Sequence, residues 1–163
     1  MAKVIERHRY KDKDIFQTRR LTFEPYEYTE KNMCLVMGLI KQNLTPDLLS
    51  GKKLMYASDV KTNKYYGHCY HASQALHFIM NTDQLQPMSA EDYRGEKHWW
   101  LQNGDKIYDA TADQYYSVGK LPPHDLGKKS KWYGWKQRPQ QISLELLIRV
   151  LGDRLISDEA LTI

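Results

Sequence analysis

The chain has 163 residues, which suits one domain built on a single core better than two. Hydrophobic residues make up 41% and charged residues 27%, ordinary values for a soluble globular protein, and no apolar run reaches the roughly 18 residues of a membrane span. The net charge of +4 is mild; it is compatible with an acidic or phosphate-bearing partner but does not demand one.

Residues 1 to 28 mix charges of both signs with little periodicity and read as a mobile or edge-strand lead-in to a domain spanning 29–163. Met1-Ala2-Lys3-Val4-Ile5-Glu6-Arg7 has no apolar h-region, so the protein is expected to stay in the compartment where it is made, the cytoplasm. Thr29 can cap a helix from about Glu30 to Asn43, with Met33, Val36, Met37 and Ile40 as its apolar stripe. Cys34 lies within this apolar run and reads as a small buried hydrophobe. With Cys69 it makes only two cysteines, too few for a disulfide-stapled secreted domain. Thr45-Pro46-Asp47 starts a short helical turn that Gly51 ends, and residues 52 to 67 read as a loop.

A second helix is predicted over Cys69 to Met80, with Cys69, Ala72, Leu76 and Ile79 on one stripe. Gly67 gives permissive backbone before it, and Asn81-Thr82-Asp83 ends it. A polar stretch with Pro87 follows. His98-Trp99-Trp100-Leu101-Gln102 and Asp105-Lys106-Ile107-Tyr108-Asp109, joined by Asn103-Gly104, then carry a strong hairpin signal. Residues 116 to 139 read as a long ordered loop, and a C-terminal helix is expected over about Ser143 to Leu151. Twelve tyrosines and four tryptophans favour strands and an aromatic-lined core or cleft.

With Asn103-Gly104 as a two-residue loop, Gln102 faces Asp105, Trp100 faces Ile107 and His98 faces Asp109. Opposed residues have Cβ atoms about 4.5–5.5 Å apart on one side of the sheet. Asp109 could then fix the His98 tautomer and stabilise its imidazolium, with Trp100 and Ile107 as an apolar surround. Cys69 would supply a nucleophile, since a helix N-terminus and a nearby His⁺ both favour the thiolate. Amide groups at the same helix start could hold an oxyanion.

Gly67-His68-Cys69-Tyr70-His71-Ala72, followed by His98-Trp99-Trp100-Leu101 and Asp109-Ala110-Thr111, resembles the Cys-His-Asp core of papain-like and transglutaminase-like enzymes. The stretch Thr111-Ala112-Asp113-Gln114-Tyr115 and the later Pro122-Pro123 also look like a group of uncharacterised bacterial and phage proteins. The resemblance covers roughly residues 45 to 150. It implies an α+β fold with a nucleophile helix packed on a small antiparallel sheet. It further implies Cys69 as nucleophile, His98 as general base and then acid, and Asp109 as orienting carboxylate. The implied activity is hydrolysis or acyl transfer on an amide, thioester or ester, with no cofactor. Gln114 or His68 could help to polarise the substrate.

Other chemistries compete for these residues. His68, Cys69, His71 and His98 are a possible zinc set, but CxxC and HExxH spacings are missing, and no metal is expected. His77 and His124 read as ordinary polar residues. Residues 128 to 138 interleave five basic residues with Trp132, Tyr133 and Trp135, a composition suited to nucleic acid. The same loop could instead wall the Cys69 cleft and recruit an anionic protein or small-molecule substrate. A non-catalytic protein that binds a ligand through the same cleft and loop is the alternative function.

Overall fold

The computed structural model describes residues 1–9, 16–49, 64–133 and 137–162. Among them are seven strands and four helices forming two antiparallel sheets, so the class is α+β, as expected from the sequence. The first sheet is built from the two ends of the chain. Strand β1 (Ala2–Arg9) pairs with β2 (Phe16–Phe23), and β2 pairs with the last strand, β7 (Leu155–Thr162). Alternation sets the inner face: Ala2 and Val4 lie opposite Phe23 and Leu21, and all four are buried. Arg19–Asp158 and Arg20–Glu159 ion pairs, each 2.6 Å, tie β2 to β7. The charged lead-in is thus sheet at Ala2–Arg9 and Phe16–Phe23, and residues 10–15 lie outside the described residues.

Helix α1 (Glu30–Gln42) starts where Thr29 accepts a hydrogen bond from the Asn32 N–H at 3.1 Å, and it buries Met33, Val36 and Ile40. Cys34 is exposed, which corrects the buried-hydrophobe expectation. Each helical residue turns about 100° from the last, so the position after Met33 leaves the inward stripe. A short 3₁₀ turn follows at Pro46–Leu48; Gly51 and the loop expected up to residue 63 are not among the described residues.

Helix α2 (Cys69–Met80) is buried on almost every side, with only His71 and His77 partly exposed. It is therefore the central rod of the fold and not an amphipathic cover. It packs against β4 (Lys97–Asn103) of the second sheet on one side and helix α4 (Gln141–Leu151) on another. The buried Gln74 accepts a hydrogen bond from the Gln140 N–H (2.9 Å) at the start of α4, and His71 bonds Ser143 (2.8 Å). Asn81, in the left-handed conformation at φ +51, ends α2 as expected.

The second sheet has the order β5-β4-β3-β6: Lys106–Tyr108, Lys97–Asn103, Gln86–Glu91 and Lys128–Lys129. His98, Trp99, Trp100 and Leu101 of β4 are all buried, because both faces of this strand are covered. Trp99 and Leu101 belong to the core around α2. His98 and Trp100 point to the opposite face, where His124 and Tyr115 of the segment after β5 meet them. This segment contains helix α3 (Asp113–Tyr116) and a 3₁₀ turn at His124–Leu126.

The hairpin register differs from the expected one. Asn103 pairs with Lys106, Gln102 with Ile107 and Leu101 with Tyr108, so Gly104-Asp105 is the loop. The strand ends at Tyr108, and Asp109 lies just beyond it. Relative to the expected register every partner moves by two residues, which preserves the face. His98 and Asp109 therefore still meet, diagonally and not directly across.

Candidate active site

Cys69 begins α2, immediately after Gly67 at φ +83 and His68, which is buried at the N-cap position. Only a residue that tolerates positive φ turns the chain so sharply into a helix start. The Cys69 thiol is buried and donates to the Lys97 carbonyl oxygen, Sγ···O 3.8 Å, which brings it beside the first residues of β4. His98 is the next residue of that strand. Its Nε2 donates to Asp109 Oδ2 at 2.6 Å, and its Nδ1 is buried with no full hydrogen bond of its own. Burial alone would lower the His98 pKa. Hydrogen bonding and charge from Asp109, and then from Cys69, outweigh that and push it up to about 9. The imidazole thus lies between a thiol and a carboxylate, favoured in its charged form.

Asp109 is saturated with donors. Its Oδ1 accepts from the Thr111 N–H (3.1 Å) and the Thr111 hydroxyl (3.4 Å), and its Oδ2 accepts from both His98 and His124 (2.7 Å). Burial would raise its pKa, but hydrogen bonds from His124 and His98 hold it down at about 2, so it is an anion. His124, read from the sequence as an ordinary polar residue, is a second imidazole on the same carboxylate oxygen. It lies in a segment without periodicity, and only Pro122-Pro123 before it hinted at an ordered turn.

Aromatic rings fix the His98 plane. Trp100 stacks on it (centroids 5.7 Å, 27°) and Tyr115 meets it edge-on (4.8 Å, 80°). A polar belt encloses this group. Gln114 donates to the Thr111 hydroxyl (3.3 Å) and accepts from Arg94 (3.4 Å); Arg94 holds Asp92 (2.8 Å); and Asp92 accepts from the Tyr115 hydroxyl (2.8 Å). The chain of bonds leads from Asp109 round to the ring that touches His98. Burial raises the Tyr115 pKa, Asp92 and then Cys69 raise it further, and the hydroxyl stays protonated.

The residues expected to bind substrate are placed as follows. Gln114 is buried in the belt, bonded to Thr111 and Arg94. Trp100 is fully buried beneath His98 and His124. Trp132 is buried against Trp99 (5.5 Å), Tyr70 (5.5 Å) and His77 (5.5 Å). Trp135 is not among the described residues. Sequence reasoning missed His124, Tyr115, Asp92 and Arg94, because nothing in their spacing marks them.

The zinc set considered from sequence does not assemble as a unit, since His71 turns to Ser143. Among the described residues, the group with metal-ligand composition is His98, Asp109 and His124, whose ligand atoms lie within 4.8 Å of one another. Those atoms are joined by N–H···O bonds of 2.6 and 2.7 Å, and a metal would have to displace both protons. Among the described residues, no helix is long and apolar enough to cross a membrane. No protein-family model, no curated protein and no solved structure matches the chain.

Proposed function

We propose that this chain is a cysteine-nucleophile enzyme on a papain-like or transglutaminase-like core, hydrolysing or transferring an acyl group from an amide, thioester or ester. The observation that carries this reading is a single imidazole, His98, held between the Cys69 thiol and a buried Asp109 anion. With the Nε2 proton donated to Asp109, Nδ1 is the nitrogen left to exchange a proton with sulfur.

The Cys69 proton passes to His98, and the thiolate attacks the substrate carbonyl carbon. An S–C bond forms as the C=O π pair moves to oxygen. The start of the α2 helix favours negative charge on both the sulfur and that oxygen. Collapse re-forms C=O and expels the leaving group, which takes the proton from His98. Water or an amine then adds to the acyl-Cys69 carbon and yields its proton to His98; the S–C bond breaks and the thiolate–imidazolium pair returns. Asp109 stays ionised throughout and stabilises the imidazolium, supported by His124.

A simple activated ester, p-nitrophenyl acetate, tests this reading. The wild type is expected to release one equivalent of nitrophenol in a burst and carry the acetyl group on Cys69 by peptide mass spectrometry. Cys69→Ala should lose the burst, and His98→Ala should slow it by roughly 10²–10⁴-fold. Acetylation at lysines alone, equal in all three proteins, would contradict it. The alternative is a non-catalytic protein that binds a small ligand or nucleic acid through the cleft and loop 128–138. Trp132 of that loop, being buried, has no open ring face for a base.

A further inference from the structure

A basic cavity of about 590 Å³ lies along the second sheet; Ser89, Ala90, Glu91, Lys97, Lys128 and Lys129 are among its lining residues, and Leu126 and Ser130 stand on its rim. Two of these residues belong to the immediate surroundings of the catalytic pair. Lys97 supplies the carbonyl that accepts the Cys69 thiol, and Ala90 is the cross-strand partner of His98. The cavity therefore borders the strand that carries His98, one residue from each member of the pair, although neither Cys69 nor His98 itself lines it. Among the described residues, three lysines line it against one acidic residue, Glu91, in a chain whose overall charge is only +4, and one of the three, Lys97, also donates to the Tyr133 hydroxyl (3.0 Å).

Resting on the cysteine-enzyme reading, we infer that this cavity binds a carboxylate-rich, extended polypeptide segment of the substrate and delivers it to Cys69. The chemistry favours dispersed carboxylates over one compact phosphate. Lysines are separate point charges, and among the described residues no arginine fork lines the cavity. Ser130 donates its hydroxyl proton to the Lys128 carbonyl (3.1 Å) and Ser89 donates to Ser130 (2.6 Å), so both hydroxyl protons are committed. Among the described residues, strand β6 (Lys128–Lys129) is the outer strand of its sheet and leaves an edge beside the cavity along which an extended chain can lie. Leu126, 64% exposed on the rim, gives such a chain an apolar contact. Lysines on an edge strand also discourage sheet-to-sheet pairing, a role that needs no cavity next to a nucleophile.

Alkylation of Cys69 reads the local potential without a known substrate. Iodoacetate and iodoacetamide attack the same thiolate, so the ratio of their rate constants reports how strongly anions are gathered at the sulfur. The paired variants are Lys128→Glu/Lys129→Glu and the milder Lys128→Gln/Lys129→Gln, each checked for a wild-type circular dichroism spectrum. The ratio is expected to fall by roughly three- to tenfold in the glutamate pair and by less in the glutamine pair. A hexaglutamate peptide should protect Cys69 from iodoacetamide in the wild type and lose that protection in the glutamate pair, whereas hexaglutamine should not protect. An unchanged ratio in both folded variants, or equal protection by hexaglutamate in wild type and variant, would overturn the inference. Inorganic phosphate protecting as well as the peptide would overturn the polypeptide assignment. Failure of the enzyme reading looks different: Cys69 would then react with iodoacetamide as an ordinary thiol in every protein, whatever the ratio.

Discussion

His98 faces opposite influences on its two sides: burial disfavours its charge, while Asp109 and the sulfur of Cys69 favour it, and the second influence wins. Its ring protons should titrate by NMR near pH 9, far above the ordinary value of 6.5. In Asp109→Asn the ring keeps a neighbour of the same shape but loses the anion. The midpoint should then fall back to 6.5 or below, and the ester burst should slow by roughly 10²–10⁴-fold. A midpoint that stays near 9 in this variant would show that Asp109 is not the cause. His124→Ala removes one of the two imidazoles on Asp109 Oδ2 and should cost about 1–3 kcal/mol of stability in urea unfolding, because a buried carboxylate loses a donor. At this scale the sequence told much: Cys69, His98 and Asp109 could be paired on paper because each residue type has a defined chemical role. His124 could not, since an imidazole brought in by a non-repeating segment leaves no pattern to read.

Among the elements, the hairpin shows how a wrong register can give a correct contact. Asn-Gly suggested a loop at 103–104, but the chain turns at 104–105, with Gly104 at φ +57. A shift of two leaves His98 and Asp109 on one face; a shift of one would have separated them. Strand β3 was hidden by Pro87, which lacks an N–H. The strand tolerates it because, on the side of β6, Pro87 only has to accept: its carbonyl takes the Ser130 N–H at 2.9 Å, and the β6 ladder proper pairs Met88 and Ser89. The segment that carries His124 is held down by a close approach at Gly127. A Cβ there would meet Trp100 Cζ2 at 2.5 Å and Cη2 at 3.1 Å, and Trp100 is fully buried. Gly127→Ala should therefore destabilise the protein by about 1–3 kcal/mol and lift His124 from Asp109. An unaltered melting temperature in Gly127→Ala would count against this packing.

For the molecule as a whole, the first sheet joins the two ends of the chain, and its inner residues share one core with α1, α2 and α4. The helices α1 and α2 were legible because their apolar spacing and caps are local. The pairing of β2 with β7 was not, because it links residues 17–23 to residues 155–162 and no local signal specifies it. His98, His77 and Asp109 are among the groups that set how stability varies with pH. His98 has a folded pKa of about 9 against 6.5, so its contribution is complete below 6.5 and is lost as pH rises through 9. His77 is pushed down to about 4 by burial alone, so the fold loses stability as pH falls from 6.5 toward 4. Asp109, at about 2 against 3.8, adds a further loss only in stronger acid. Urea unfolding followed from pH 4 to pH 9 should therefore peak near 6.5. The alkaline decline should flatten in Asp109→Asn; a decline of equal steepness there would assign it to other groups.

The thiolate–imidazolium pair is tested most directly by the rate of Cys69 alkylation with iodoacetamide as a function of pH, in wild type and in His98→Ala. Cys69 is expected to react rapidly well below pH 8, on a plateau that ends only as His98 loses its proton, and to lose that acid-side reactivity in His98→Ala. A single ordinary thiol profile shared by both proteins would contradict the pair and, with it, the enzyme reading.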